Sequence, residues 1–306
     1  MAAPGTYRES LGRRIWQAKY SYLMLAPFTI LFVLFTVLPV AIAIWFSFTN
    51  YDMLHNASFT GLENYMRMFL DDDVFLIALK NTLIFALVTG PISYFMCFFF
   101  AWLINELKPA LRAVATLVFY APVLSGSVFT VWQFILSPDR YGMLNGFLIN
   151  LGIMQTPVSW LLDTRYIMTS LIIVQLWMSL GTGFLAFIAG LQGVDTTLYE
   201  AASIDGASEW QIVKSIKLPE LRGSLAITVI FSIIGSFQLF NEPSILQNMV
   251  PGNAITTYYT PNMYAYNLSF SGNQSNYAAA LAIVMAVITM AIAYIVQLNS
   301  LKEQMK

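Results

Sequence analysis

Residues that could perform covalent or metal chemistry are few in this sequence of 306 residues and lie far apart. His55 is its only histidine, Cys97 is its only cysteine, and the acidic run Asp71–Asp73 lacks regular calcium-loop spacing. No Ser/His/Asp or Cys/His set can be assembled, and no Gly-x-x-x-x-Gly-Lys-Ser/Thr loop is present to hold nucleotide phosphates. We therefore expect no enzyme active site, metal or cofactor in this chain. His55 is expected to be solvated, Cys97 to pack in an apolar run, and Asp71–Asp73 to form a solvated turn.

The chemistry that the sequence does offer is hydrogen bonding and ring stacking within apolar segments. Polar groups at bilayer depth cost free energy, so they tend to face a cavity or another helix. Amides bond to hydroxyl groups, and aromatic rings offer flat faces to a hydroxylated ring. The candidates for a solute path are Gln238, Asn241, Gln175, Trp177, Gln133, Tyr94 and Tyr120. Gln238 and Asn241, three residues apart, are expected to share a helix face. The alternative is that these side chains only join helices, at about 1 kcal/mol each.

The composition that surrounds these residues is typical of an integral membrane protein. Hydrophobic residues make up 58% of the chain and charged residues 10%, whereas soluble domains are roughly one-quarter charged. Apolar runs of about 20 residues can span a bilayer, and they occur near Tyr22–Phe48, Val74–Leu107, Ala113–Leu136, Ile167–Leu191, Leu225–Phe240 and Tyr277–Leu298. The sequence therefore predicts an all-α membrane protein with six transmembrane helices.

The distribution of Lys and Arg predicts the orientation of these six helices. Eleven of the fifteen basic residues fall on the side that holds both termini and the segment between the fourth and fifth helices. The positive-inside rule makes that side cytoplasmic. We accordingly expect a multi-pass protein of a bacterial or archaeal cytoplasmic membrane, with both termini in the cytoplasm. The predicted organisation is an N-terminal interfacial segment at 1–21, one membrane domain at 22–301 and a tail at 302–306.

A polar segment, Glu200–Pro219, separates the fourth and fifth apolar runs. Two pairs fit the capping box that marks a helix start, namely Thr197 with Glu200 and Ser208 with Gln211. Gly206 suits the left-handed conformation that ends a helix, and Pro219 disfavours helix at the residue before it. The pattern predicts two short capped helices, joined at Gly206 and ending at Leu218, with Trp210, Val213 and Ile216 on one face. An ordinary interfacial loop with helical character is the alternative.

The polar segment closely resembles the EAA motif of binding-protein-dependent ABC importer permeases. The residues that match the motif in order are Glu200, Ala201, Ala202, Asp205, Gly206, Ala207, Leu218 and Pro219. The family often has Phe where this chain has Val213, and Thr where it has Lys217. The resemblance implies that residues 196–221 form the cytoplasmic helix-turn-helix that couples the permease to an ATPase, with Trp210 and Val213 also in the coupling set. A helix docked in a groove would make that contact.

Further stretches resemble the sugar-permease branch, which contains the maltose-type and glycerol-phosphate-type permeases. They include Gly61–Tyr65, Gly142–Asn145, Pro157–Trp160, Ala189–Gln192 and Ser236–Phe240. The resemblance implies a second homologous permease, two ATPase subunits that bind ATP and Mg, and an extracytoplasmic solute-binding protein that delivers a sugar or oligosaccharide. No nucleic acid is expected among the partners. Because no Lys or Arg lies near a predicted midplane, we favour a neutral saccharide over an acidic one.

Two alternatives to a saccharide permease stay open from the sequence. One is an ABC permease for another solute class, such as an amino acid, a peptide, a polyamine or an acidic saccharide. The EAA motif would fit such a permease equally well. The other is a membrane scaffold that uses the polar segment to recruit a cytosolic partner. A secondary transporter is disfavoured because no acidic residue lies within a predicted span to couple ions.

Overall fold

The computed structural model describes residues 16–124 and 128–304. These residues are helical, apart from connecting loops and an isolated antiparallel bridge between Thr49 and Phe59. The helices are α1 (Lys19–Phe32), α2 (Leu38–Ser47), α3 (Glu63–Leu70), α4 (Asp73–Asn105), α5 (Pro109–Leu124), α6 (Val128–Ile135), α7 (Met143–Asn150), α8 (Thr164–Gln192), α9 (Thr196–Ile204), α10 (Glu209–Ile212), α11 (Leu218–Phe237), α12 (Asn241–Met249), α13 (Pro261–Phe270) and α14 (Ser275–Gln304). Most of the predicted N-terminal segment, 1–15, and the last two residues of the predicted tail lie outside the described residues.

Four helices in the described part of the chain are long and apolar enough to cross a membrane. They cover Lys19–Ser47, Asp73–Asn105, Thr164–Gln192 and Ser275–Leu298, and they coincide with the first, second, fourth and sixth predicted spans. The third predicted span corresponds to α5 and α6, and the fifth to α11. The all-helical prediction therefore holds for the described residues, and the four long helices mark a membrane protein.

The long helices α4 and α8 pack side by side, and α5 and α11 lie against them. Two glycines of α8 permit the close approach. A Cβ at Gly183 would lie 3.0 Å from the Cys97 sulfur of α4, and one at Gly190 would lie 2.5 Å from Leu221 Cδ2 of α11. The buried Cys97 donates its S–H to the Ser179 carbonyl at 3.3 Å, so the expected packing role of this cysteine is confirmed.

The N-terminal half of the first span has little cover from the rest of the chain. None of the residues of α1 is buried, and Met24 is 85% exposed. The following helix, α2, packs against α14. The apolar surface of α1 is therefore available to lipid or to another protein subunit.

Two π-helical segments interrupt the helices of residues 16–124 and 128–304, and each precedes a Leu-Pro pair. Val33–Val37 leads into Leu38-Pro39 at the start of α2, and Val213–Lys217 leads into Leu218-Pro219 at the start of α11. The prediction that Pro219 ends the helix at Leu218 is therefore wrong. A proline ring normally clashes with the carbonyl four residues earlier. The wider π turn moves that carbonyl away, so the helix continues through the proline.

Candidate functional site

The polar segment between α8 and α11 forms two short helices, α9 and α10, joined at a left-handed glycine. Asp195 caps α9, because its side chain accepts the Thr197 N–H at 2.9 Å. The capping box predicted for Thr197 and Glu200 is therefore wrong, since a carboxylate two residues before Thr197 takes the cap position. The hydrogen bond from the Thr197 backbone lowers the pKa of the Asp195 carboxyl.

The start of α10 follows the sequence prediction closely. Ser208 and Gln211 form the capping box, with the Ser208 N–H donating to Gln211 Oε1 at 2.7 Å. Gly206 has a φ of +74°, a backbone conformation that favours glycine. The Ala207 N–H donates to the Ala202 carbonyl at 3.0 Å, which closes the end of α9. Local hydrogen bonds therefore fix the angle between the two helices.

The two short helices present apolar side chains to the surroundings. Ile204 is 86% exposed and Trp210 is 66% exposed, although large apolar side chains are usually covered. Glu200, Ala201 and Asp205 are also exposed. A concavity of about 290 Å³ beside them is lined by Ala202, Asp205, Gly206, Ala207, Gln211, Ile212, Ser215 and Ile216. The segment therefore offers both a protruding apolar surface and a recess.

The face predicted for Trp210, Val213 and Ile216 is not formed. Val213 is fully buried, whereas Trp210 points away from the bundle. The π segment that begins at Val213 changes the helical phase, so spacing by three no longer places side chains on one face. Leu218 is 37% exposed, and Pro219 is partly buried at the first turn of α11.

Lys217 faces the interior of the protein. It is only 4% exposed, and its ammonium lies 2.6 Å from Glu106 Oε1 at the end of α4. The two residues are 111 positions apart, so no local sequence signal identifies the pair. A cavity of about 500 Å³ adjoins them, lined by Asn105, Glu106, Arg112, Leu191, Gln192, Val194, Thr196, Tyr199, Ser203, Glu209, Ile212 and Lys217. Lys217, which stands where the EAA motif often has Thr, therefore makes an internal contact.

The predicted solute-path residues at the end of α11 lie in two different elements. α11 ends at Phe237, and the exposed Gln238 follows it, whereas Asn241 begins α12. The prediction that the two side chains share a helix face is therefore wrong. Carbonyls at and beyond the end of α11 have partners outside the helix: Asn262 donates to Phe237 O at 3.0 Å and Thr260 to Leu239 O at 2.9 Å.

Two of the other candidate path residues, Trp177 and Tyr94, belong to separate hydrophobic clusters. Trp177 packs edge-on against Trp132 with ring centroids 5.5 Å apart. Tyr94 packs edge-on against Phe187 at 5.2 Å in the second cluster. Gln175 and Tyr120 are half-buried. Gln133 donates to the Met249 carbonyl at 3.3 Å and so joins α6 to α12, the helix-joining role given as the alternative.

The buried Asn145 joins several loop segments at the end of the bundle that lies opposite the polar segment. Asn145 is fully buried and bonds to the backbone of Ser137, Asp139 and Val158 and to the indole of Trp160. Local sequence patterns do not predict these hydrogen bonds, because the partners lie up to 15 residues away. The sequence singles out Asn145 only because Gly142–Asn145 resembles the sugar-permease branch.

Asp72 does not belong to a solvated turn, contrary to the sequence expectation. It is 8% exposed, caps α4 through the Phe75 N–H at 3.0 Å, and accepts hydrogen bonds from the Tyr264 and Tyr277 hydroxyls. Burial, and to a lesser extent the hydrogen bond to Asp72, raises the pKa of Tyr264 to about 12. His55 is exposed as expected and pairs with Asp52 at 2.7 Å.

Comparison with known families matches residues 1–302 to the family described as "Binding-protein-dependent transport system inner membrane component". The chain belongs to this family. The resemblance drawn from the EAA segment is therefore confirmed. The chain is a membrane permease subunit of an ABC importer rather than an enzyme, and ATP hydrolysis belongs to a separate subunit.

Relatives match this chain over nearly its whole length, and a solved structure shares its fold. The chain is 31% identical to the lactose transport system permease protein LacF of Rhizobium radiobacter, over 95% of this chain and 96% of the relative. It is 29% identical to the arabinooligosaccharides transport system permease protein AraP of Bacillus subtilis, over 95% and 92%. A chain of a bacterial ABC transporter that imports the acidic polysaccharide alginate has the same fold, with a TM-score of 0.80, 23% identity, and coverage of 95% of this chain and 98% of that one.

Proposed function

We propose that this permease subunit forms, with a second homologous permease, the translocation path for a sugar or oligosaccharide delivered by an extracytoplasmic solute-binding protein. The match of residues 1–302 to the importer family carries the proposal. The names of two relatives support a saccharide, since one is described for lactose and the other for arabinooligosaccharides. Two ATPase subunits supply the energy and bind ATP and Mg.

The Glu200–Pro219 segment is the proposed contact with the ATPase. Its exposed Ile204 and Trp210, and the recess of about 290 Å³ between the short helices, support docking into a groove. The proposed topology has six transmembrane helices and one membrane domain at 22–301. The coupling segment and both termini lie in the cytoplasm of a bacterial or archaeal cell, as Lys and Arg counting predicts.

A neutral saccharide is the proposed cargo, and Gln238, Asn241, Gln175, Trp177, Gln133, Tyr94 and Tyr120 are the proposed path residues. An anion crossing the bilayer would benefit from a cation or a helix N-terminus near the midplane. The basic residues of the long helices lie close to their ends. Lys80 of α4 lies seven residues after Asp73, and Arg165 of α8 lies one residue after Thr164. Exposed Gln238 and Asn241 can still supply hydrogen bonds to hydroxyls.

The cargo is tested with the complete importer reconstituted in vesicles with its binding protein. We expect ATP-dependent uptake of labelled neutral oligosaccharides to exceed uptake of acidic ones of equal length. Preferential uptake of the acidic set would overturn the neutral assignment. Absence of uptake for every saccharide, with uptake of an amino acid or peptide, would overturn the saccharide class.

The coupling role is tested with a pair of matched glycine variants. Gly206 and Gly152 have φ values of +74° and +72°, and neither has an atom within 4 Å of an added Cβ. Proline fixes φ near −65°, so each substitution disturbs a turn to a similar degree. We expect Gly206→Pro to prevent co-purification of the ATPase and Gly152→Pro to leave it intact. Normal ATPase recovery with Gly206→Pro would contradict the role of the segment.

A further inference from the structure

Lys217 occupies the meeting point of three elements at the end of the bundle that carries the polar segment. Its ammonium lies 2.6 Å from Glu106 Oε1 beyond the end of α4 and 4.0 Å from Glu209 Oε2 of α10. It also lies over the ring of Trp102 of α4, 5.8 Å from the centroid, and that of Tyr199 of α9, at 5.4 Å. One side chain therefore contacts both short helices and the long helix α4.

The environment of Lys217 favours keeping these elements together. The Lys217 side chain is 5% exposed, whereas its partner Glu106 is 54% exposed. Ring faces attract a cation, and burying an ammonium without a counter-charge is costly. If α9 and α10 moved without α4, the ammonium would lose Glu106 while remaining poorly hydrated. Motion of the short helices alone is therefore disfavoured relative to motion with the end of α4.

The contact extends from α4 to the next helix. Arg112 of α5 donates to the carbonyls of Asn105 and Leu107 at 2.8 and 3.2 Å, which ties the start of α5 to the end of α4. Arg112, Glu106 and Glu209 line the same cavity of about 500 Å³ as Lys217. The ammonium thus lies within a continuous set of polar contacts from α10 through the end of α4 to α5.

We propose that Lys217, through Glu106, is the positioning residue that transmits displacement of the coupling segment to α4 and α5. This inference rests on the proposed coupling function of the segment. Its role is to make the short helices and the long helices move as one body. The resemblance expects Thr at this position, and a Thr side chain is too short to reach the end of α4. A member of the family with Thr at this position would therefore lack this link.

The test uses the complete importer in vesicles and measures solute uptake and ATP hydrolysis separately. We expect Lys217→Met and Glu106→Gln each to lower the number of solutes moved per ATP by about fivefold or more, the lower end of usual coupling effects. The double variant should lower it no further, because both changes remove one contact. Lys217→Arg should retain most of the ratio. The control is Lys214→Met, since Lys214 lies on the same π segment but is exposed.

The outcomes separate this inference from the proposed function. An unchanged ratio of uptake to hydrolysis in Lys217→Met, or the same fall in the Lys214→Met control, would overturn the inference. A proportional fall of uptake and hydrolysis in Glu106→Gln would show a loss of assembled complex and would likewise overturn it. Absence of ATP-driven uptake in the unmodified importer would instead refute the proposed function.

Discussion

Removal of the Trp210 side chain should weaken binding of the ATPase without destabilising the permease. Trp210 is 66% exposed on α10, so truncation removes few internal contacts. A Trp side chain can bury roughly 150–250 Å². Covering its exposed part would therefore remove about 100–165 Å² from water, a gain of roughly 2.5–4 kcal/mol at about 25 cal/mol per Å².

The expected loss is somewhat smaller than this transfer free energy, because ordering the side chain on binding has a cost. We expect Trp210→Ala to weaken the affinity by about 2–3 kcal/mol, which is roughly 30- to 150-fold in Kd. Titration of the ATPase subunit onto permease in nanodiscs measures that Kd. Tyr141→Ala is the matched control, since Tyr141 is 95% exposed in the loop between α6 and α7, at the opposite end of the bundle.

A Kd within about twofold of the original protein for Trp210→Ala would refute the reasoning, since such a change is below about 0.5 kcal/mol. An equal loss in Tyr141→Ala would refute it as well, because the effect would then not be specific to the polar segment. Thermal unfolding of both variants should match that of the original protein. A large fall in Tm for Trp210→Ala would mean that the indole packs internally.

Three further predictions concern the stability of the permease in detergent. Asn145→Leu leaves several buried backbone groups and the Trp160 indole without partners, so unfolding should become easier by about 3 kcal/mol; an unchanged Tm would contradict this. Gly190→Ala places a methyl group 2.5 Å from Leu221 Cδ2, which should cost about 1–2 kcal/mol. The same substitution should cost less in a Leu221→Ala background, where Cδ2 is absent, and an equal cost there would count against the clash. Burial raises the pKa of Glu242 above 4.5, so the folded state binds more protons than the unfolded state and stability should fall as pH rises above that value. Glu242→Gln should flatten this part of the Tm profile, and a profile that stays as steep would count against it.

Features set by neighbours along the chain were predictable from the sequence. The Ser208–Gln211 capping box and the left-handed Gly206 depend on residues within a few positions of each other. The positions of the apolar runs likewise predicted the long helices, since about 20 apolar residues are needed to cross a bilayer. Local patterns therefore predicted the cap of α10 and the turn at Gly206 correctly.

Features set by distant contacts were not predictable in the same way. Pro219 remains within helix because a π turn precedes it, and Asn241 leaves the α11 face because that helix ends at Phe237, where Asn262 and Thr260 donate to carbonyls at and beyond its end. The pairing of Lys217 with Glu106 joins residues 111 positions apart. Burial of polar and charged groups depends on which helices pack together, and a single sequence does not show these long-range contacts directly.

The π segment Val213–Lys217 also decides which changes of length this region can accommodate. A π turn holds one residue more than an α turn, so deletion of a single residue there would restore a regular α-helix. The deletion would leave α10 and α11 in nearly their present relative orientation, because one wide turn would be replaced by one α turn. Trp210 would then keep facing nearly the same side of the bundle. An inserted residue would instead rotate Trp210 by about 100° relative to α11. Deletion of one residue within the π segment should therefore be tolerated better than insertion of one residue between Gly206 and Pro219.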